Sequence, residues 1–425
     1  MADLRAPKGM NDVLPDEIGR WHLVEKAFRE TMHLHGFREV RTPYLESTAL
    51  FSSAIGEGTD VVEKEMYSFA HHKESLTLRP EGTAGAARAY VEHKVHNQEP
   101  VSKWYYLGPM FRGERPAKGR YRQFSQLGAE VFGDSGPAID AEIIDLLYGF
   151  IGRLGIPGAE VLINSIGSEE ARAAYRAALV SYLTPLKDKL SEDSQRRLEK
   201  NPLRILDSKA PADIECVQDA PGLDVHLTAE DRKHFDDLKR SLDALGTPYR
   251  VEPRLVRGLD YYSRTLFEIK AAKELLGAGD TVAGGGRYDR MVEEMGGPKV
   301  PAFGFGAGLE RLLIASSAQA ETSVVDAFVA PLGDGDGVRL AALRLAKSLR
   351  AAGVRTEADL RGGGAKSLLR RATTLGAAHA IIIGDRELES GLYALKDLSA
   401  HAQREATPED IVRDLALLRT EKGSP

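Results

Sequence analysis

A single cysteine, Cys216, among 425 residues excludes an intramolecular disulfide and any cysteine-rich zinc site, and a reducing, cytoplasmic compartment is the expectation. No run of about eighteen apolar residues occurs, and the opening MADLRAPKGMNDVLP carries no cleavable signal pattern, so neither membrane insertion nor secretion is expected. The net charge is −6, so affinity for a polyanion must come from local basic patches and not from the field of the whole molecule. Familiar glycine-rich nucleotide signatures are missing as well. RGGGAKS at 361–367 has Ala365 where a P-loop needs glycine, and no GxGxxG opens a strand–helix unit. What is present, 42% apolar and 28% charged residues, suits a globular chain of two or three domains, each with its own core.

The densest chemistry lies at 103–133, KWYYLGPMFRGERPAKGRYRQFSQLGAEVFG. Runs of aromatic and branched residues flank a loop that sets Arg112, Arg115, Lys118, Arg120 and Arg122 against one acid, Glu114. This predicts a β-hairpin with an anion-binding mouth. Neighbours on a strand point to opposite faces, so Ser125, Leu127, Ala129 and Val131 share one side of the returning strand, and Phe124, Gln126, Gly128 and Glu130 the other. On the outgoing strand, Trp104, Tyr106, Gly108, Met110 and Arg112 align in the same way. The mixed row is either a solvated sheet face or the floor of a polar binding site, because a buried carboxylate must find partners or take up a proton.

Residues 15–35 follow the helical period through Ile18, Trp21, Val24, Phe28 and Met32, with Gly36 placed to end the helix. FREVRTPYLE reads as a strand cut by Pro43, and MYSF, HHKES and LTLRPEGT as a second hairpin before the helical AGAARAYVEHKV. Glu81 and Thr83 stand at that handover, where Glu81 either caps the helix or points into a cleft. Helical DAEIIDLLYGFIGRLG and strand VLINSIG precede charged helical text from Ser168 to Leu245, an insertion in a sheet domain. Strand text resumes at YRVEPRLVRGLDYYSRTLFEIKA, where Arg257, Asp260, Tyr261, Tyr262 and Arg264 crowd a strand interrupted by Gly258. Glycines 284–286 predict a close backbone or ligand, and AFGFGAGLERLLIASS a strand entering a helix with Arg311 in its first turn, a seat for phosphate. From about Asp326, strands and helices alternate as in a separate α/β domain, after a linker at AQAETSVV.

These segments together carry a resemblance. FRGER…RYRQF resembles motif 2 of the class II aminoacyl-tRNA synthetases, GFREVRTPYLE their motif 1 and AFGFGAGLERL their motif 3. LVRGLDYYSRTLFE and AGGGRYD are similar to the two segments that mark the histidine-specific, bacterial-type family, and DVVEKEMY, TLRPEGTAG and NSIGS extend the likeness over nearly the whole chain. The fold implied is α+β: an antiparallel-sheet catalytic domain at 1–325 with a helical insertion at 168–245, and an α/β anticodon-binding domain at 326–425. The activity implied is ATP-dependent formation of histidyl-adenylate, then transfer to the 3′ end of tRNA(His), by a cytoplasmic homodimer with motif 1 in its interface.

The resemblance also implies roles. Arg112 would hold the α-phosphate, with Arg120 and Arg311 toward the β- and γ-phosphates; Arg257 would bridge the substrate carboxylate and the α-phosphate. Glu114 would read the adenine amino group and Phe124 stack on the ring, with Mg²⁺ on the outer phosphates and no protein ligand assigned to it. Glu81, Thr83 and Gln126 would hold the α-ammonium group. A neutral imidazole offers one donor and one acceptor nitrogen, which Glu130 and Tyr262 would read in opposition, with Tyr261 and Tyr288 nearby. Such a site rejects isosteres by ~10⁴-fold, so no editing domain is needed. The chain departs from the bacterial pattern at Ala117 and Ser125, which stand in place of glutamine and histidine, and Ala117 lies in the loop expected to approach the acceptor end. Two alternatives are a catalytically inactive regulatory subunit of ATP phosphoribosyltransferase, expected to lack RGLDYY and the anticodon-binding domain, and an RNA-binding protein on a dead synthetase fold, expected to have lost Arg112, Arg257 or Arg311.

Overall fold

The computed structural model describes residues 4–56, 58–206, 208–256, 258–277, 279–319, 325–333, 335–361 and 363–421. The chain divides into two compact units, 1–319 and 320–425.

The first unit is built on an eight-stranded sheet in the order Arg38–Glu39, Ser102–Phe111, Gln123–Phe132, Ala302–Gly308, Thr281–Arg287, Ser263–Lys270, Glu160–Ser165, Arg250–Val251. Its six central strands are antiparallel, and the two short edge strands pair parallel. One face is apolar by alternation: Leu127, Ala129 and Val131 join Phe267, Phe303 and Phe305 under the helices Ile18–Leu34 and Pro137–Arg153. Val24, Phe28 and Met32 fall on the buried stripe of the first helix. Its end is set by Gly36 at φ +76°, with the Phe37 amide returning to the Met32 carbonyl at 3.0 Å. Phe28 meets the rings of Tyr105, Phe150 and Phe305 edge-on, a burial that contributes about 2 kcal/mol.

Pro43 does more than cut a strand. Arg38–Glu39 joins the large sheet, whereas Leu45–Ser47 joins a separate three-stranded sheet with Tyr67–His71 and Glu74–Leu78. Between Leu45–Ser47 and the hairpin lies a helix, Thr48–Ile55, that its short and weakly periodic sequence did not signal.

The insertion is helical over Glu169–Leu183, Glu192–Lys200, Pro211–Cys216 and Ala229–Leu245. The last begins in a Thr228/Asp231 capping box and ends at Gly246, φ +75°. Its apolar side chains, Tyr175, Leu179, Leu183 and Leu198, share a core with Leu162, Tyr262 and Leu266 of the sheet domain.

The expected strand through 260–264 begins later. Asp260, Tyr261 and Tyr262 lie on a loop, and the strand starts at Ser263. The Asp260 amide donates to the Ile55 carbonyl at 3.1 Å, outside the sheet, and Arg264 adopts φ +49° where the register against Gly286 and Arg287 shifts.

The second unit has a five-stranded sheet in the order Thr356–Ala358, Ala327–Pro331, His379–Ile383, Tyr393–Asp397, Gln403–Ala406. Every residue of Ala327–Pro331 is buried, because helices cover both faces of this part of the sheet. Helix Asp385–Ser390 and strand Gln403–Ala406 were not foreseen; both are short and largely polar. Among the described residues no helix is long and apolar enough to cross a membrane.

Candidate active site

On the face of the large sheet opposite the core lies a cleft of about 1180 Å³. Phe124 and Gln126 of the polar row line it, and Glu130 lies behind them. In register, Glu130 faces Trp104, Gly128 faces Tyr106, Gln126 faces Gly108 and Phe124 faces Met110. On the other side the row meets AFGFGAG, where Phe303, Phe305 and Ala307 enter the core while Gly304 and Gly306 lie beside Glu130 and Gln126. Side-chain space explains these glycines: a Cβ on Gly304 would overlap the Glu130 carboxylate, and one on Gly306 the Gln126 amide nitrogen. Gly82 and Gly128 likewise leave room for the Tyr106 ring. At Gly285 and Gly286 the close neighbours are backbone, the carbonyls of Gly304 and Thr265.

Glu130 has no exposed surface and sits behind the residues that line the cleft. The Tyr106 hydroxyl donates to its Oε1 at 2.9 Å, and the Tyr288 hydroxyl to its Oε2. Burial pushes the carboxyl up to about 8, against the hydrogen bonds from Tyr288, Thr83 and Tyr106. Tyr288 packs on Tyr261 at 5.6 Å between ring centroids, and Tyr261 on Tyr262 at 4.5 Å, so a tyrosine series joins Glu130 to the cleft wall. Tyr106 is the member that sequence reasoning left without a role, although parity had placed it in the row.

Glu81 does both things considered for it. Its Oε2 and Oε1 accept from the amides of Thr83 and Ala84, each at 2.7 Å, capping helix Thr83–Glu92, while Glu81 and Thr83 also line the cleft. Burial raises the pKa of Glu81. The Gln126 Oε1, on the lining of the same cleft, is buried and has no hydrogen-bond partner among the described residues. An orphaned amide oxygen in a polar cleft calls for a donor from a ligand. Gly306→Ala tests this cheaply, since the three atoms nearest the added methyl all belong to the flexible side chain of Gln126. The substitution is expected to raise the KM for the ligand that supplies that donor by about tenfold, with little change in Tm.

The cationic mouth forms as expected for Arg112 and Arg120, which line the cleft with Arg311, Glu114 and Phe124. Arg112 Nε donates to the Pro80 carbonyl at 2.8 Å, and its guanidinium lies 5.4 Å from the centroid of Phe124. Arg120 sits 3.7 Å from Glu114. Arg311 Nε donates to the Gly119 carbonyl at 3.1 Å and its NH1 to the Thr281 carbonyl, and burial followed by the neighbouring Arg120 lowers its pKa. Arg115, Lys118 and Arg122 do not line the cleft. The Arg122 amide is instead tied to the Gly9 carbonyl at 2.7 Å, which braces the loop from the N-terminal segment. Arg257 lies outside the described residues.

Glu310 is a further lining residue not singled out from sequence. Its Oε1 accepts from the Ser125 amide at 2.8 Å, tying the first turn of helix Leu309–Ala315 to the hairpin, and burial pushes it up to about 7. The insertion supplies the opposite wall through Asp193, Arg197 and Arg204. Among the described residues no group of three or more His, Cys, Asp or Glu side chains is arranged to hold a metal ion.

Comparison with known proteins bears on what this cleft does. The family model described as histidyl-tRNA synthetase matches residues 9–312, the part of the chain that builds the cleft. The chain belongs to the histidyl-tRNA synthetase family. A second family model, the anticodon binding domain, matches residues 326–416. The chain is 58% identical over 414 residues to a histidine–tRNA ligase of Sorangium cellulosum, covering 97% of this chain and 96% of that one. With the histidine–tRNA ligase of an Anaeromyxobacter species the identity is 49%, over 94% of this chain and 96% of its relative. The crystal structure of apo histidyl-tRNA synthetase from S. aureus superposes with a TM-score of 0.81 at 33% identity, covering 97% of this chain and all of that one. Fold and family thus agree with the resemblance carried by the sequence motifs: a class II α+β catalytic unit followed by an anticodon-binding domain.

Proposed function

We propose that the chain is a histidine–tRNA ligase, which activates L-histidine with ATP and transfers it to the 3′ end of tRNA(His). The observation that carries this reading is the cleft itself, which one strand lines with Phe124 and Gln126 and backs with the buried Glu130, and which Arg112, Arg120 and Arg311 also line. Adenylation requires two anions, a carboxylate and a triphosphate, to approach one another, and fixed guanidinium groups offset their repulsion and the charge that develops at the α-phosphorus.

In this reading Arg112 holds the α-phosphate from its Pro80 tether, Arg120 and Arg311 take the outer phosphates, Phe124 stacks on adenine and Glu114 reads its amino group. Glu81, Thr83 and the orphaned Gln126 oxygen receive the ammonium group. Glu130, Tyr262, Tyr261 and Tyr288 form the imidazole pocket, and Arg257 joins the two substrates. Mg²⁺ bound on the outer phosphates would supply further charge neutralisation. The Glu268 and Asp280 carboxylates also line the cleft, the first accepting from the Thr281 hydroxyl at 3.1 Å and the second 3.4 Å from Lys270 Nζ.

Residues 1–325, with the insertion at 168–245, form the catalytic domain in this proposal, and 326–425 read the anticodon in a cytoplasmic enzyme. A homodimer is supported by the three-stranded sheet, where Leu45 and Phe69 are exposed on the face they share with Tyr67, Leu76 and Leu78. The deciding assay is ATP–pyrophosphate exchange, which should depend on histidine. Absent exchange would return the chain to the catalytically inactive readings, and exchange independent of histidine would mean that the cleft activates a different acid.

The acceptor end gives a sharper expectation. Ala117 is exposed at the tip of the cationic loop, in a tight turn closed on Arg120 by paired backbone hydrogen bonds of 3.1 and 2.9 Å. A methyl group there cannot hydrogen-bond a nucleotide as glutamine could. Charging rates on tRNA(His) with and without its extra 5′ nucleotide should therefore differ by less than about tenfold. Complete loss of charging without that nucleotide would refute this expectation.

A further inference from the structure

The loop that carries Tyr261 and Tyr262 is held from the insertion. Helix Glu169–Leu183 starts directly after the sheet strand Glu160–Ser165, capped by Ser168, and its first turn aims Arg172 back at the sheet domain. Arg172 NH1 donates to the Tyr262 carbonyl at 2.8 Å, and the Asp260 carbonyl lies 3.5 Å from both terminal nitrogens. Burial lowers the pKa of this guanidinium. A half-buried cation that spends its donors on backbone carbonyls carries a desolvation cost, and what it secures is the path of the chain at those carbonyls.

The same loop is gripped a second time. Asn201 Nδ2 donates to Asp260 Oδ1 at 2.6 Å, and the Asp260 amide reaches the Ile55 carbonyl. Gly56, at φ +98°, permits that approach, since a Cβ there would lie 3.0 Å from the Asp260 carboxylate. From the loop, contacts run without a break through Tyr262, Tyr261 and Tyr288 to Glu130.

We propose that Arg172 is a positioning residue for the amino-acid pocket: by fixing the Asp260 and Tyr262 carbonyls, it sets the tyrosine pair against Tyr288 and Glu130, so that affinity for the amino acid depends on the insertion. The inference rests on the histidine-activating reading of the cleft. No part of Arg172 is needed to touch either substrate; it acts through the loop.

The test is ATP–pyrophosphate exchange by the full-length chain. Arg172→Gln is expected to raise the histidine KM by about tenfold or more while the ATP KM stays within about twofold. Arg172→Lys, which can still reach one carbonyl, should fall between the two. Asn201→Ala should move the histidine KM in the same direction by a smaller factor, and serves if Arg172→Gln does not fold. In a Tyr262→Phe background the effect of Arg172→Gln on the histidine KM should shrink, because both changes act on one element. Equal rises in both KM values, or effects that add with Tyr262→Phe, overturn the proposal. Wild-type chain without histidine-dependent exchange overturns the functional reading itself, whereas normal exchange with an unchanged histidine KM in both Arg172→Gln and Asn201→Ala overturns this inference alone.

Discussion

Arg112→Ala is expected to slow histidine-dependent ATP–pyrophosphate exchange by at least ~10²-fold, a rise in barrier of about 2.7 kcal/mol. The side chain is poised before any substrate arrives: Nε is committed to the Pro80 carbonyl at 2.8 Å, which leaves the two terminal nitrogens to face the cleft beside Phe124. A donor that needs no reorganisation at the moment of charge transfer stabilises the transition state more than the bound substrates, so the loss should appear mainly in kcat. Stability should change by less than about 1.5 kcal/mol, the scale of one hydrogen bond. Arg112→Lys restores the charge without the planar fork and cannot keep both the tether and the contact with the phosphate, so it should remain well below wild type. Near-normal exchange in Arg112→Ala would remove this residue from the α-phosphate and with it the main support for the nucleotide's pose.

The polar row of this cleft was legible because strand parity is a strict rule. Ten consecutive residues, Gln123–Phe132, alternate without a bulge against Ser102–Phe111, so the row could be assigned from the text alone. The glycines of AFGFGAG were visible too, but their purpose was not, since it depends on which strand lies beside them. The Tyr106 bond to Glu130 needed the register between two strands. The Glu310 bond to Ser125 spans 185 residues, and the grip of Arg172 on Tyr262 spans 90. No local pattern encodes such contacts. The two sheets reached from FREVRTPYLE, and the loop reading of Asp260–Tyr262, were missed for the opposite reason: β-type composition was present, but Pro43 and the outward bond of Asp260 redirected the backbone.

Glu130 provides the second large effect, and it depends on pH. A glutamate ordinarily titrates near 4.5, and burial pushes this one up to about 8. Between those values the folded chain keeps a proton that the unfolded chain has released, so its contribution to stability must fall as pH rises. That contribution is intact below about 4.5, declines across the interval and is gone above about 8. An amide at this position cannot titrate, so Glu130→Gln should flatten the curve: the Tm of wild type relative to the variant should drop from pH 6 to pH 9 in thermal melts, with Glu310 present in both chains and cancelling. Parallel curves would show that the carboxylate is held charged by Tyr106 and Tyr288 throughout. Glu130→Ala is the harsher change. It leaves two buried phenols without their acceptor, at about 1–3 kcal/mol each, and on the proposed reading removes the group that reads the imidazole, so histidine-dependent exchange should fall by ~10³-fold or more. Retention of histidine-dependent exchange in a folded Glu130→Ala chain would mean that the imidazole is recognised elsewhere on the cleft wall, with Tyr262 the first side chain to test.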